Sequence, residues 1–156
     1  MNLDLVLNGA RRSVEIDPGE SLMDLLRRLG CKSVKNGCDD GYCGACAVLL
    51  DGRAVNACLV FAAAAAGRRV DTLEGLAREG VLHPLQRVML DLGAVQCGFC
   101  TPGMVMTALD LLERNPRPTE SEVRRALAGN YCRCTGYVKP VEAILAAAAE
   151  MREEPE

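Results

Sequence analysis

Four cysteines in the first half of the chain have a spacing suited to binding a metal–sulfur group. They follow a C-x4-C-x2-C interval with a more distant fourth, and they are Cys38, Cys43, Cys46 and Cys58. This spacing is typical of four thiolates that hold a 2Fe-2S cluster. Glycines at 37, 41 and 44 allow the backbone to turn tightly around the anionic sulfurs. Structural zinc is the alternative, but zinc usually binds closely spaced pairs, and only Cys43 and Cys46 form one.

The second half contains its own set of four cysteines, arranged as Cys-Gly-Phe-Cys and Cys-Arg-Cys. They are Cys97, Cys100, Cys132 and Cys134. Side chains two residues apart point the same way only on extended backbone, so we expect Cys132 and Cys134 between helices. Cys100 precedes a predicted helix start, with Thr101 as N-cap and Pro102 as the first helical residue. The positive end of that helix would then face an anionic cluster. Spacing favours a second iron–sulfur site, with a four-cysteine zinc site as the alternative.

Composition limits the function classes that need to be considered. The chain has 156 residues, a formal net charge of −3 and no tryptophan, so nothing indicates a nucleic-acid partner. Nine cysteines without a recognisable secretion signal favour metal binding over disulfides. No apolar run approaches the ~18 residues that a membrane span needs. We therefore expect a soluble, cytoplasmic protein without a membrane span.

The elements around the first cysteine set predict a small α+β unit. Alternating leucines from residue 3 and the turn Asn8-Gly9 predict one hairpin, and Asp51-Gly52 predicts a second. Between the hairpins, Ser21 is a suitable N-cap for a helix whose leucines have helical spacing and which stops at Gly30. Residues 57–66 should be helical or irregular, and residues 69–72 a last strand.

Strand signals end near residue 72, and four helices are predicted after it. The first covers residues 82–92, and the second begins at Thr101 and stops near Asn115. Thr119 and Glu122 form a capping box for the third, which Gly129 ends. The fourth covers residues 138–150. We place the domain boundary between residues 72 and 80 and expect the two units to pack together, because no flexible linker separates them.

Three segments carry a resemblance to a known family. They are GCDDGYCGAC at 37–46, QCGFCTPGMVM at 96–106 and GNYCRCTGY at 129–137. Together they resemble the iron–sulfur subunits of molybdenum hydroxylases, the xanthine dehydrogenase and aldehyde oxidoreductase family. The small subunits of carbon monoxide dehydrogenase and 4-hydroxybenzoyl-CoA reductase are included in it. Eight cysteines in two distinct patterns make the resemblance specific.

The resemblance implies a fold, cofactors and partners. The fold would be a plant-ferredoxin-like β-grasp domain at residues 1–75 and a four-helix-bundle 2Fe-2S domain at 76–156. Each domain would hold one 2Fe-2S cluster on the four cysteines named above. A large partner would carry a molybdenum–pterin cofactor, and a medium partner would carry FAD. Cys134 and Gln96 would contact the pterin, and electrons would pass from there through both clusters towards the flavin.

Other residues are assigned simpler roles. His83, the single histidine, is interpreted as a helix-start or surface residue, so no catalytic base is evident. Cys31 is interpreted as a buried structural thiol, and Phe99 as packing over a cluster. Arg133 is interpreted either as a solvated side chain or as a hydrogen-bond donor towards a cofactor. A free-standing 2Fe-2S ferredoxin and a zinc-stabilised interaction module are the alternative functions.

Overall fold

The computed structural model describes residues 1–153. They form one mixed sheet, with one helix between its second and third strands, and then four further helices. The strands are β1 (Asn2–Leu7), β2 (Ala10–Glu15), β3 (Ala47–Leu50), β4 (Arg53–Asn56) and β5 (Arg69–Asp71). The helices are α1 (Leu22–Arg28), α2 (Pro84–Asp91), α3 (Thr101–Arg114), α4 (Glu120–Ala126) and α5 (Val138–Glu153). Short 3-10 turns cover Ala57–Leu59, Ala62–Ala65, Leu73–Gly75 and Leu127–Gly129.

The sheet has the strand order β2-β1-β5-β3-β4. The β1–β5 pair is parallel, and the other three pairs are antiparallel. Leucines of β1 and of α1 share one buried cluster, so α1 covers a face of the sheet. This arrangement confirms the predicted β-grasp half.

The turns and caps of this half follow from its sequence. Asn8, Gly9, Asp51 and Gly52 have φ angles between 49° and 81°, the conformation of a type I′ hairpin turn. The Ser21 hydroxyl accepts the Asp24 N–H at 3.1 Å and so begins α1. Both predicted hairpins and the predicted helix are therefore confirmed.

The four predicted helices of the second half are also confirmed, with α3 at their centre. Ten of the eleven residues at 102–112 of α3 are buried, because the other helices and the sheet surround this helix. The Thr119–Glu122 capping box is present at the start of α4. The His83 imidazole accepts the Leu85 N–H at 3.2 Å, which confirms its role at the start of α2.

Several helix boundaries differ from the prediction. Cys100, not Thr101, is the N-cap of α3, because its carbonyl already accepts the Met104 N–H at 3.1 Å. Thr101 is consequently the first helical residue. Helix α2 begins at Pro84 rather than at 82, since the imidazole cap precedes the proline. Helix α5 continues to Glu153, three residues beyond the predicted end.

The two halves are packed against each other, as expected from the absence of a linker. Leu49 of β3 is 2% exposed and belongs to the buried cluster of the helical half. Arg53 of β4 forms an ion pair with Asp110 of α3 at 3.3 Å. The cysteine sites of the two halves are therefore held in a fixed relation. Within residues 1–153, no helix has the length and apolarity that a bilayer crossing requires.

Candidate cluster sites

The β3–β4 hairpin positions two predicted ligands of the first site, Cys46, which is buried, and Cys58, which is half-buried. Cys46 directly precedes β3, and Cys58 lies in the 3-10 turn that follows β4. The Ala57 N–H donates to the Cys46 carbonyl at 3.3 Å, which extends the ladder by one step. Burial, with a smaller contribution from the neighbouring Cys58 thiol, raises the pKa of Cys46 to about 12. Without a positive charge nearby, this sulfur would stay protonated.

The loop before β3 directs backbone N–H groups at the other two sulfurs. The Cys43 N–H lies 3.4 Å from the Cys38 Sγ, and this hydrogen bond lowers the pKa of Cys38. The Ala45 N–H lies 3.5 Å from the Cys43 Sγ. Such donors favour the anionic form of a sulfur ligand. The four cysteines predicted for this site are thus brought to one place.

The loop closes so tightly that two of its glycines have no room for a side chain. A Cβ at Gly37 would lie 2.8 Å from the Cys43 Sγ. A Cβ at Gly41, whose φ is +82°, would overlap the side chain of Leu59. A side chain at 37 would fill the space beside the Cys43 sulfur, and one at 41 would displace Leu59, so both positions require glycine.

The second site is built where α3 begins and where the chain enters α5. The Sγ atoms of Cys97 and Cys134 are 3.6 Å apart. Cys100 is buried at the start of α3, where burial, with a smaller contribution from the Cys132 thiol, raises its pKa to about 12. Cys132 and Cys134 lie on non-helical backbone, as their spacing predicts. All four predicted residues converge here too.

Cys132 has the most strongly favoured thiolate of the second site. The Thr135 N–H lies 3.4 Å from its Sγ, and the Thr135 hydroxyl lies 3.1 Å from it. Burial raises the pKa of Cys132, but these hydrogen bonds outweigh it and lower the pKa to about 7. Tyr137 supports the loop, since its hydroxyl accepts the Cys132 N–H at 2.8 Å and donates to the Asn130 carbonyl at 3.1 Å.

Both cluster sites offer thiol sulfurs as their donors, a ligand set suited to a 2Fe-2S cluster. Among residues 1–153, no three histidine, cysteine, aspartate or glutamate side chains are placed to hold one metal ion. A sulfide-bridged pair distributes four thiolates over two irons, so three sulfurs need not surround one point. Eight sulfurs with no harder ligand among them also suit iron–sulfur chemistry.

One backbone hydrogen bond and one side-chain hydrogen bond join the loops of the two sites. The Tyr131 N–H donates to the Cys43 carbonyl at 2.9 Å, and Tyr131 is bonded directly to Cys132. The Asn130 side-chain amide donates to the Gly44 carbonyl at 3.1 Å. A residue of one site is thereby linked to a residue of the other through a single hydrogen bond.

Two models of iron–sulfur proteins together cover almost the whole chain. The model described as "2Fe-2S iron-sulfur cluster binding domain" matches residues 5–77, and the one described as "[2Fe-2S] binding domain" matches 72–145. The chain is 49% identical over 140 residues to the "Nicotinate dehydrogenase small FeS subunit" of Eubacterium barkeri, covering 89% of each chain. The chain belongs to the iron–sulfur small subunits of the molybdenum hydroxylases.

Solved structures of this family share the small subunit's whole fold. A chain of quinoline 2-oxidoreductase from Pseudomonas putida 86 superposes with a TM-score of 0.94 at 41% identity, covering 99% of this chain and 98% of that one. The aldehyde oxidoreductase from Desulfovibrio desulfuricans ATCC 27774 gives a TM-score of 0.93 at 44% identity. There the match covers 97% of this small subunit but only 17% of the longer chain. The family and the two-domain α+β fold are therefore confirmed, and the small subunit has two 2Fe-2S binding domains.

The remaining predicted residues of the small subunit take these positions. Gln96 is exposed and donates from its amide to the Cys134 carbonyl at 3.1 Å, so these two residues lie together at the surface. Cys31 is buried in the core of the ferredoxin-like half, as expected. Phe99 is 46% exposed and lies beside Gly37 of the first site. Arg133 is exposed, and its predicted role towards a cofactor stays untested.

Sequence reasoning missed the residues that orient the small subunit's second site. Thr135 carried a usable signal, because a hydroxyl residue directly after Cys-Arg-Cys is placed to donate back to a sulfur. Tyr137 carried none, since its φ of +67° and the two hydrogen bonds of its hydroxyl depend on the folded loop. The role of Asn130 could not be predicted from the sequence either, because its hydrogen-bond partner Gly44 lies in the other half of the chain.

Proposed function

We propose that this small subunit relays electrons from a molybdenum–pterin centre in a large partner subunit, through its two 2Fe-2S clusters, to FAD in a medium subunit or to an external acceptor. The observation that carries the proposal is the link between the two sites, the Tyr131 N–H donated to the Cys43 carbonyl. A relay needs its two carriers close together and connected, and this contact supplies both conditions.

The proposed ligands follow the two cysteine sets. Cys38, Cys43, Cys46 and Cys58 would hold the first cluster, and Cys97, Cys100, Cys132 and Cys134 the second. When bound, each cluster supplies a one-electron carrier. The chain supplies thiolates, N–H donors to the sulfurs and a scaffold that excludes water from Cys46 and Cys100, both below 9% exposed. These are the factors by which a protein adjusts the reduction potential of a cluster.

The path between the sites is short in terms of bonds. It runs from the Cys43 sulfur along that residue to its carbonyl, across the hydrogen bond to Tyr131, and along the backbone to the Cys132 sulfur. Every step except the hydrogen bond is covalent. Without that hydrogen bond, the covalent route would follow the whole chain from Cys58 to Cys97.

The entry and exit sides of the relay follow from exposure. Gln96, Cys97 and Cys134 are exposed together, so the large subunit's pterin would dock against Cys134 and Gln96. At the other site, Tyr42 is 67% exposed and Leu59 is 62% exposed, which suits contact with the flavin-bearing subunit. The chain would therefore need partners at both ends.

Two further assignments stay proposals. The domain division at residues 75 and 76 agrees with the change from strands to helices, but residues 154–156 of the second domain lie outside the described part of the chain. We propose a cytoplasmic location, because a reducing compartment keeps the eight proposed ligand cysteines as free thiols that can bind the clusters.

The function is tested by metal analysis and paramagnetic resonance on the protein as the cell assembles it. We expect four irons and four acid-labile sulfides per small subunit, two distinct reduced-cluster EPR signals, and copurification of a molybdenum-containing chain. Cys43→Ala should abolish one signal and leave the other, whereas Cys31→Ala should leave both. Zinc without labile sulfide, or loss of both signals in folded Cys43→Ala, would contradict the proposal. A stable chain with both clusters but no partner would indicate a free-standing ferredoxin.

A further inference from the structure

The two cluster sites meet at a seam where backbone touches backbone. A Cβ at Gly103, near the start of α3, would lie about 1 Å closer to the Gly44 carbonyl oxygen than ordinary van der Waals contact allows. A Cβ at Gly44 would approach the Gly129 carbonyl oxygen too closely by a similar distance. Only glycine at 44 and 103 permits this approach, so the seam has no adjustable side chain between its two surfaces.

The Gly44 carbonyl is also held from two directions. The buried Asn130 side chain, 3% exposed, donates its amide to this oxygen at 3.1 Å. The Ala47 N–H donates to the same oxygen at 3.2 Å. An oxygen that accepts two hydrogen bonds and touches α3 cannot shift without breaking one of these contacts.

The seam lies directly between the ligand cysteines. Gly44 follows Cys43 of the first site, Gly103 lies one helical turn after Cys100, and Asn130 lies two residues before Cys132. A displacement at the seam must therefore change the separation of the two sites. The contact of Arg53 with Asp110, in contrast, is farther along the sequence from any ligand.

We propose that Gly44, Gly103 and Asn130 are positioning residues that set the separation of the two clusters and so the rate at which one electron passes between them. In that step one cluster loses an electron, the other gains it, and no proton moves. This inference rests on the proposed function, because it requires both clusters to be present. It adds that the interface backbone, not only the cysteine loops, fixes the rate.

The physical reason is the dependence of both observables on distance. Electron tunnelling falls exponentially with the separation of the carriers, and dipolar coupling between two reduced clusters falls with its inverse cube. Gly103→Ala would force α3 and the cluster loop apart by about 1 Å to restore ordinary contact. Asn130→Ala would remove one hydrogen bond without adding bulk.

The test compares three variants of the complete protein, purified with whatever subunits assemble with it. Gly103→Ala and Asn130→Ala should weaken the splitting of the EPR lines in the fully reduced protein and slow inter-cluster electron transfer several-fold. Gly19→Ala is the matched control, because a Cβ there meets nothing within 4 Å and the residue is exposed and lies outside the seam. Melting temperature is recorded for each, since a purely structural role would lower it without changing the splitting.

The outcomes separate this inference from the proposed function. If Gly103→Ala and Asn130→Ala hold both clusters and show the wild-type splitting and rate, the seam does not set the separation. Equal changes in Gly19→Ala would also overturn the inference. If Gly103→Ala loses its clusters, Asn130→Ala decides by the same two measurements. Absence of two cluster signals in the unsubstituted protein would instead overturn the proposed function.

Discussion

The hydrogen bonds of Thr135 to the Cys132 sulfur should raise the reduction potential of the second cluster. Reduction adds an electron to an already anionic group, and a donor at the sulfur stabilises that added charge. Thr135→Val removes the hydroxyl at 3.1 Å but keeps the shape of the side chain and the backbone N–H at 3.4 Å. The potential should therefore fall, while one of the two donors remains.

The size of the fall can be worked from the strength of the lost contact. A hydrogen bond to a charged group contributes about 1.5–3 kcal/mol, and only its difference between the two oxidation states, about 1 kcal/mol, reaches the potential. For a one-electron couple, about 1.4 kcal/mol corresponds to ~59 mV, so the expected shift is ~40 mV towards more negative potential. The first cluster should not move, because Thr135 makes no contact with its four cysteines.

The measurement is a redox titration followed by EPR, with Thr135→Ser as the matched control because serine keeps a hydroxyl donor. The valine variant also removes the acceptor of the Tyr137 N–H, which lies 3.2 Å from the Thr135 hydroxyl. The free energy of unfolding should therefore fall by about 1 kcal/mol, separately from the change in potential. An unchanged or raised second-cluster potential, beside a normal Thr135→Ser protein, would refute the reasoning. An equal shift of both clusters would refute it as well.

Three further outcomes follow from the structure. Thr119→Ala should lower the unfolding free energy by about 1 kcal/mol, since it removes the acceptor of the Glu122 N–H, and Thr119→Ser should restore it in denaturant titrations. Cys31→Ala should cost about 1–2 kcal/mol through a small cavity and leave both EPR signals intact. Burial raises the pKa of Glu74, but hydrogen bonds from Ser33 outweigh it and hold the pKa below 4.5. The stability that ionised Glu74 contributes is therefore fully present above about pH 4.5 and is lost as the pH falls through the lower pKa of the folded state. Glu74→Gln should accordingly flatten the acid side of the stability profile, measured in thermal melts between about pH 3 and 6.

Local signals predicted the elements well because each depended on a few neighbouring residues. Asn8-Gly9 and Asp51-Gly52 specified their hairpins through φ angles that few other pairs adopt. The C-x-C spacing of Cys132 and Cys134 correctly excluded a helix there. Thr101 was wrongly placed as the cap of α3, because a local rule for threonine could not show that the Cys100 carbonyl already begins the helical hydrogen bonds.

Long-range geometry could not be predicted from the same signals. The strand order depends on β5 entering between β1 and β3, and nothing within Arg69–Asp71 indicates its neighbours. Gly103 could be read only as a glycine near a helix start, while its role depends on the Gly44 carbonyl. The ligand sets were predictable from spacing, but the contacts that hold them together required the folded chain.

The position of β5 has a consequence for how the protein is made. This three-residue strand is the only element in the described sheet that touches both hairpins, so the two pairs stay unconnected until it arrives. On the ribosome, all four proposed ligand cysteines of the ferredoxin-like half emerge before β5 does. The pairing that joins the two hairpins into one sheet is therefore completed only after these cysteines have left the ribosome.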